Sequence, residues 1–192
     1  MDILITGGMG FVGLHLCEYL VKQDHKIIIY DNLSNSQTIR LDSNIQIIEG
    51  DILDYPLLSK SLKNIQTVIH LAAQISVTDS IKDPDNTIKI NVDGTKNLLN
   101  GCIENNIKNF IGISTAAVFG NQNIVLTENS KTDPISPYGK SKLIMEESII
   151  NFSKKHNLNY IILRFFNIYG LGQSPATYHK LCTFAECQIS LV

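Results

Sequence analysis

Six short runs rich in Ile and Val, near 2–6, 26–30, 45–49, 67–71, 110–114 and 160–164, punctuate the sequence, with longer stretches of helical period between them. That alternation restricts the fold more than any other feature. Apolar runs that do not alternate with polar residues belong to strands buried on both faces, as in parallel sheets covered by crossover helices. Apolar residues three and four apart predict helices over 11–23, 55–62, 84–105 and 138–156. Right-handed crossovers then place helices on both faces of a doubly wound parallel sheet, an α/β fold. The polar stretch 120–137 reads as a long loop, a common form for binding loops and lids.

Composition narrows the partners. With 44% hydrophobic and 18% charged residues among 192, the chain is globular, with one sizeable core expected. Lys and Arg number 16 against 18 Asp and Glu, without long runs of one sign. Neither nucleic acid nor an anionic membrane surface is therefore expected, and the partner should be a small molecule. No apolar run approaches a membrane span. Cys17, Cys102, Cys182 and Cys187 do not form a dense framework, and Asp2 stands where a secretory signal has basic residues. The expectation is a cytoplasmic protein with reduced thiols.

The segment Thr6-Gly7-Gly8-Met9-Gly10-Phe11-Val12-Gly13 follows the first strand and opens the first helix, the setting of a dinucleotide-binding fingerprint. Gly10 lets backbone approach a pyrophosphate, Gly13 permits tight helix packing, and free N–H groups at the helix start hold phosphate. Its spacing is Gly-x-x-Gly-x-x-Gly, a slight departure from the commoner loop. Asp31 directly follows the second strand, where a carboxylate can accept hydrogen bonds from both hydroxyls of an adenosine ribose and repel a 2′-phosphate. NAD is thus expected in preference to NADP in a Rossmann-type fold; a plain turn former is the other reading of Asp31. Asp51, with Ile52, is a candidate adenine contact or again a turn. Tyr138 and Lys142 lie four apart on a predicted helix and point the same way. A phenol titrating near 10 is a poor base unless a fixed positive charge stabilises its phenolate. Alone, such a pair is also an ordinary surface arrangement.

Further motifs occur in order: Asp31 to Ser36, Asp51-Ile52, His70-Leu71-Ala72-Ala73, Asn91-Val92-Asp93-Gly94-Thr95, Ser114 to Gly120, Tyr138 to Lys142, and Arg164 to Gly170. Together with Thr6 to Gly13 they resemble the extended short-chain dehydrogenase/reductases, and within them the NAD-dependent nucleotide-sugar epimerase/dehydratase group. The resemblance covers roughly 1–173. It implies that Tyr138 is the catalytic base, that Lys142 tunes it and holds the nicotinamide ribose, and that Thr115 hydrogen-bonds the reacting hydroxyl. Cofactor contacts implied in the same way are Gly7, Gly10, Phe11, Val12, Gly13, Asp31, Asn32, Asn35, Ser36, Asp51, Ile52, Leu71, Ala72 and Ala73, besides Tyr138 and Lys142. Ser76, beside Val77, and Asn167 are the implied substrate contacts with Thr115.

Two residues separate reaction classes within this resemblance. Its 4,6-dehydratases carry Asp and Glu after the catalytic Thr, whereas this sequence has Ala116 and Ala117. Neither transfers a proton, so the implied activity is 4-epimerisation of a nucleotide sugar of the UDP-glucose/UDP-galactose kind, with NAD recycled. A catalytically inactive NAD-binding module and an NAD(P)-dependent sugar-nucleotide dehydratase or reductase are the alternatives. The expected organisation is a cofactor-binding domain over 1–173 carrying the catalytic residues, followed by a short divergent tail, 174–192, in place of a truncated C-terminal substrate lobe. A frameshift or shortened chain is one expectation for that ending. His179, Cys182 and Cys187 in the tail offer only three soft zinc ligands within a short run, and no metal is expected. His15, His25, His70 and His156 read as strand-end or surface residues. Pairing of helices within 84–105 and 138–156, by analogy with the family, implies a homodimer.

Overall fold

A computed structural model describes residues 1–35, 43, 45–170 and 172–173. Branched side chains favour extended backbone, and the Ile/Val runs become β1 (Asp2–Thr6), β2 (Lys26–Asp31), β3 (Ile45–Glu49), β4 (Thr67–His70), β5 (Asn109–Thr115) and β6 (Asn159–Phe165). All pair in parallel in the order β3-β2-β1-β4-β5-β6. This is the doubly wound sheet that the sequence predicts. The strand order reverses between β1 and β4, which opens a crevice outside their carboxyl ends.

Helices α1 (Phe11–Val21), α2 (Tyr55–Ser61), α3 (Val77–Lys82), α4 (Pro84–Ile88), α5 (Gly94–Glu104) and α6 (Pro137–His156) connect the strands. Local chemistry sets most starts. Asp54, Ser76, Asp83 and Ser136 cap α2, α3, α4 and α6 by accepting from Leu57, Asp79, Asn86 and Gly139 N–H groups. Pro56, Pro84 and Pro137 occupy first turns, where a missing N–H is harmless. Asn157, left-handed at φ 54°, ends α6 after Lys154, Lys155 and His156, whose basic groups suit the negative helix end.

The single helix expected over 84–105 is in fact α4, a wide π-type turn at Lys89–Asp93, and α5. In that turn the Thr95 hydroxyl donates to the Asn91 carbonyl at 2.7 Å. Gly94 is pressed on Ile52, whose Cδ1 would lie 2.4 Å from any added Cβ. The extra helix α3 has six residues, too few to display helical period in sequence.

Two apolar layers hold the sheet. Leu4, Tyr30, Val68 and Phe110 pack under Leu58, Leu62, Leu98, Leu99, Met145 and Ile149 of α2, α5 and α6. Ile3, Ile5, Ile27, Ile29 and Ile69 meet Leu14 and Cys17 of α1 on the opposite face. Burial of both side-chain sets explains the lack of alternation in the strands. Leu98 is fully buried in the first of these layers. Leu98→Ala is expected to lower unfolding free energy by about 2–5 kcal/mol in urea denaturation, through lost apolar transfer and the cavity left behind.

Candidate active site

The glycine loop is fixed by contacts from two strands. Gly7 takes φ +71°, donates its N–H to Tyr30 O at 3.0 Å, and lies where a Cβ would stand 2.6 Å from Ala72 N. Leu71 and Ala72, just past β4, are held by Thr6: Leu71 N–H donates to Thr6 O at 3.0 Å and Ala72 N–H to Thr6 Oγ1 at 3.3 Å. Gly13 rests on the loop itself, with its Cβ direction 2.6 Å from Gly8 Cα. Around Gly10 a Cβ would meet only Gly7 O, at 3.3 Å, so its outer side faces open space.

Helix α1 has no side-chain cap. Among the described residues no hydrogen bond reaches the N–H groups of Phe11, Val12 or Gly13. Three donors at a positive helix end beside an open glycine suit a pyrophosphate, so the residues present fit a dinucleotide. Asp31, at the end of β2, accepts from Met9 N–H at 2.9 Å and Leu33 N–H at 2.8 Å, one bond per oxygen. Each carboxylate oxygen keeps acceptor capacity for a ligand.

Asn32 Nδ2 donates to Asp51 Oδ2 at 3.0 Å, which joins the ends of β2 and β3. Ile52 is 6% exposed and packs in the core, and its carbonyl accepts from Asn97 Nδ2 at 3.1 Å. Asn35 is exposed in the turn after β2, and the expected contact Ser36 lies outside the described residues. So do His179, Cys182 and Cys187; among the described residues no group of three metal-ligating side chains occurs.

Thr115 ends β5 and caps a short 3₁₀ turn, Ala116–Phe119, by accepting from Ala117 N–H at 3.2 Å. The first turn of α6 lies against this segment because residue 139 is glycine: a Cβ there would come 2.7 Å from Ala117 O. Tyr138 is thereby set beside Thr115, near enough for that side chain to act on the phenol's titration. Its backbone N–H donates to Ser80 Oγ of α3 at 3.1 Å. Burial pushes the Tyr138 phenol up, and Thr115 acts in the opposite direction.

Lys142 is 4% exposed, and its Nζ lies 3.2 Å from Met145 Sδ. Burial lowers it to about 8, while the Glu146 carboxylate raises it. The sequence predicts Lys142 as the group that lowers Tyr138; here Thr115 does so, and desolvation outweighs it. Ser76 uses its hydroxyl oxygen to cap α3, Asn167 is exposed after β6, and Ala73 precedes the Gln74 backbone clamped by Asn91.

Several supporting residues carry no sequence signal of their role. Asn91 Nδ2 also donates to Ser141 Oγ at 2.9 Å, and Ser141 donates to Tyr138 O at 2.7 Å. His70 ends β4 fully enclosed, with Nδ1 2.7 Å from Thr6 Oγ1 and Nε2 2.9 Å from Thr95 Oγ1. Because Thr95 donates to Asn91 O, Nε2 must carry the proton and Nδ1 must accept from Thr6. Asn91 and His70 stand within the motifs, yet nothing in their spacing distinguishes a buried polar link from a ligand contact.

A six-stranded doubly wound sheet with this loop and acid defines a dinucleotide-binding α/β protein. Residues 3–189 match the NAD dependent epimerase/dehydratase family, and the chain belongs to it. NAD is the cofactor that this family's description carries. A putative UDP-glucose 4-epimerase of Methanocaldococcus jannaschii is 37% identical over 176 residues, 90% of this chain and 58% of that protein. The UDP-glucose 4-epimerase of Halalkalibacterium halodurans is 37% identical over 173 residues, 88% and 52% of the two chains. Among solved structures, the Thermotoga maritima UDP-glucose 4-epimerase with UDP-glucose superimposes with a TM-score of 0.86 at 36% identity, over 91% of this chain and 58% of that one. The Bacillus cereus UDP-glucuronic acid 4-epimerase, in complex with UDP-glucuronic acid and NAD, gives 0.84 at 36%, over 91% and 59%. The chain spans about half the length of the curated relatives it matches.

The enclosed His70 gives the fold a pH signature. Burial, with the Lys142 charge, lowers it to about 3 from an ordinary value of 6.5. The unfolded chain therefore takes up a proton first as pH falls, so the neutral ring stabilises the fold above 6.5 and that contribution is lost between 6.5 and 3. At pH 5 the loss from this group is about 2 kcal/mol. Urea denaturation at pH 7 and pH 5 should show it, and His70→Gln should reduce the difference between the two.

Proposed function

We propose that this chain is the catalytic and cofactor-binding part of an NAD-dependent nucleotide-sugar 4-epimerase acting on UDP-sugars of the glucose/galactose type. The observation that carries the reading is the seat of Tyr138 against the turn after Thr115 at the carboxyl edge of the sheet, allowed by Gly139 on Ala117 O, with two alanines after Thr115 that have no proton to give. Named relatives of the same activity support it. In this reading Gly7, Gly10 and the α1 start hold the diphosphate, Asp31 with Asn32 and Asn35 the adenosine ribose, and Asp51 with the Ile52 backbone the adenine. Leu71, Ala72 and Ala73 form the wall beside them. Lys142 holds the nicotinamide ribose, and Ser76, Thr115 and Asn167 contact the substrate.

NAD, when bound, supplies a reversible hydride acceptor. Thr115 orients the sugar 4-hydroxyl toward Tyr138, which takes its proton as the C4 hydride departs, so a C4 carbonyl forms. After the keto sugar turns over, Tyr138 returns the proton while hydride is restored to the other face. No net redox change results, which separates this chemistry from a reductase. Ala116 and Ala117 leave no second acid or base for dehydration.

Residues 1–173 act as one cofactor-binding unit in this proposal, with the remaining length typical of the relatives supplying the rest of the substrate grip. The cytosol is the proposed compartment, supported by Cys17 and Cys102, which are free and buried. A homodimer through helices within 84–105 and 138–156 is proposed as well, supported by exposed Ile144 on α6 and exposed Ile81 on α3. No helix among the described residues is long and apolar enough to cross a membrane.

Incubating the NAD-loaded chain with UDP-galactose should yield UDP-glucose without accumulation of reduced cofactor; steady cofactor consumption or no interconversion would count against the reading. Tyr138→Phe should reduce turnover by about 10²-fold or more while calorimetric NAD affinity stays near that of the unsubstituted chain. Asp31→Asn should narrow the preference for NAD over NADP in the same titration, since the charge that repels a 2′-phosphate is removed.

A further inference from the structure

Glu146 lies one helical turn beyond Lys142 on α6 and is 2% exposed, the only buried carboxylate among the described residues. Three donors converge on it. Ser114 Oγ and Arg164 Nε, the latter at 3.0 Å, donate to Oε1, and Arg164 Nη2 donates to Oε2 at 2.7 Å. Arg164 is itself fixed, with Cζ 4.8 Å from the centre of the Phe119 ring and Nη1 donating to Glu128 O at 3.3 Å. The Glu146–Arg164 pair thus ties together the end of β5, the turn after it, the loop before α6, α6 itself and β6. Ser114 is the neighbour of Thr115, and Glu146 shares its helix with Tyr138 and Lys142.

We propose that Glu146 is a positioning residue for Lys142: pinned by Arg164 and Ser114 one helical turn along α6, its carboxylate sets that helix against the end of β5 and keeps a fixed negative charge on the side of the helix that carries the ammonium. The role rests on the assignment of Thr115, Tyr138 and Lys142 given above. Stability alone gives a poor account of the arrangement, because well-packed apolar residues commonly replace a buried ion pair without loss. What an apolar side chain cannot supply is a charge of fixed position next to a desolvated ammonium.

The other groups facing Lys142 leave that task to Glu146. His70, from β4, is neutral and hydrogen-bonded at both nitrogens. Arg164, from β6, lies beyond the carboxylate and is held by it. Strand β5 and the turn after it have no ionisable side chain. On α5 the Cys102 thiol is pushed up by burial, and on the side of α3 and the π-type turn Asp79 and Asp93 pair with Lys82 and Lys96 in solvent. On α6 itself, Tyr138 is held up as the neutral phenol.

The test follows the pH titration of Lys142 by its side-chain NMR signal, in the chain without substrate or cofactor, the signal being assigned by its loss in Lys142→Met. The expected midpoint is near 8, lower by about one unit or more in E146Q, and near 8 again in E146D, which keeps the charge. R164M removes the cation that shares the carboxylate, and is expected to move the midpoint upward. General loosening of the core does not produce shifts of opposite sign. An unchanged midpoint in E146Q overturns the proposal; should E146Q fail to fold, a midpoint in R164M that stays or falls overturns it instead. Since no sugar is present, the result is independent of the UDP-galactose assay, so failure of the proposed activity and failure of this role are distinguishable.

Discussion

A parallel sheet brings every strand's carboxyl end to the same edge, and everything that the site contains depends on that directionality. Thr6, Asp31, Glu49, His70, Thr115 and Phe165 end the six strands, so residues far apart in sequence arrive side by side. The order reversal between β1 and β4 splits the exits of their connections to opposite faces. Gly7 closes the remaining gap: at φ +71° and against Ala72, it lets the loop after β1 touch the segment after β4. Any side chain at position 7 would separate the cofactor loop from the strand beside it.

A second close approach joins that loop region to the reacting groups. Gly139 admits the first turn of α6 onto Ala117 O, Ser136 caps the helix there, and Ser80 receives the Tyr138 N–H. Asn91 then clamps Gln74 backbone on one side and Ser141 on the other. The wide turn in the helix between β4 and β5 is where Asn91 and Thr95 point polar groups inward. Such irregularities concentrate where a regular helix would have packed apolar residues, as expected at a functional centre.

The glycine loop, Asp31 and the six strands were legible in sequence because each is a local matter: a run of branched residues, a glycine spacing, a carboxylate after a strand. The Tyr138–Thr115 pairing was legible only through resemblance, since the two residues stand 23 positions apart in sequence (138 − 115) and are brought together by the fold. Glu146 was not legible at all. A glutamate amid Met145, Glu147 and Ser148 on a helix reads as a solvated face, and only the arrival of Arg164 from β6 makes it a buried ion pair. The break at Asn91 and the short α3 escaped for a related reason: their stabilising contacts are long-range, and helical periodicity carries no trace of them.

The electrostatic balance of the centre sets the resting state of a phenol raised by burial. Arg164 and Glu146 form a pair of zero net charge, and His70 is neutral, so Lys142 carries the remaining buried positive charge. Its field already reaches β4, where it contributes to the lowering of His70. Tyr138 stands four residues away on the same helix, a spacing of about 5–6 Å between Cβ atoms. Burial keeps the resting phenol protonated, whereas Thr115 favours the phenolate. The same burial that raises the Tyr138 phenol lowers the Lys142 ammonium, so one dry pocket favours the neutral form of both groups.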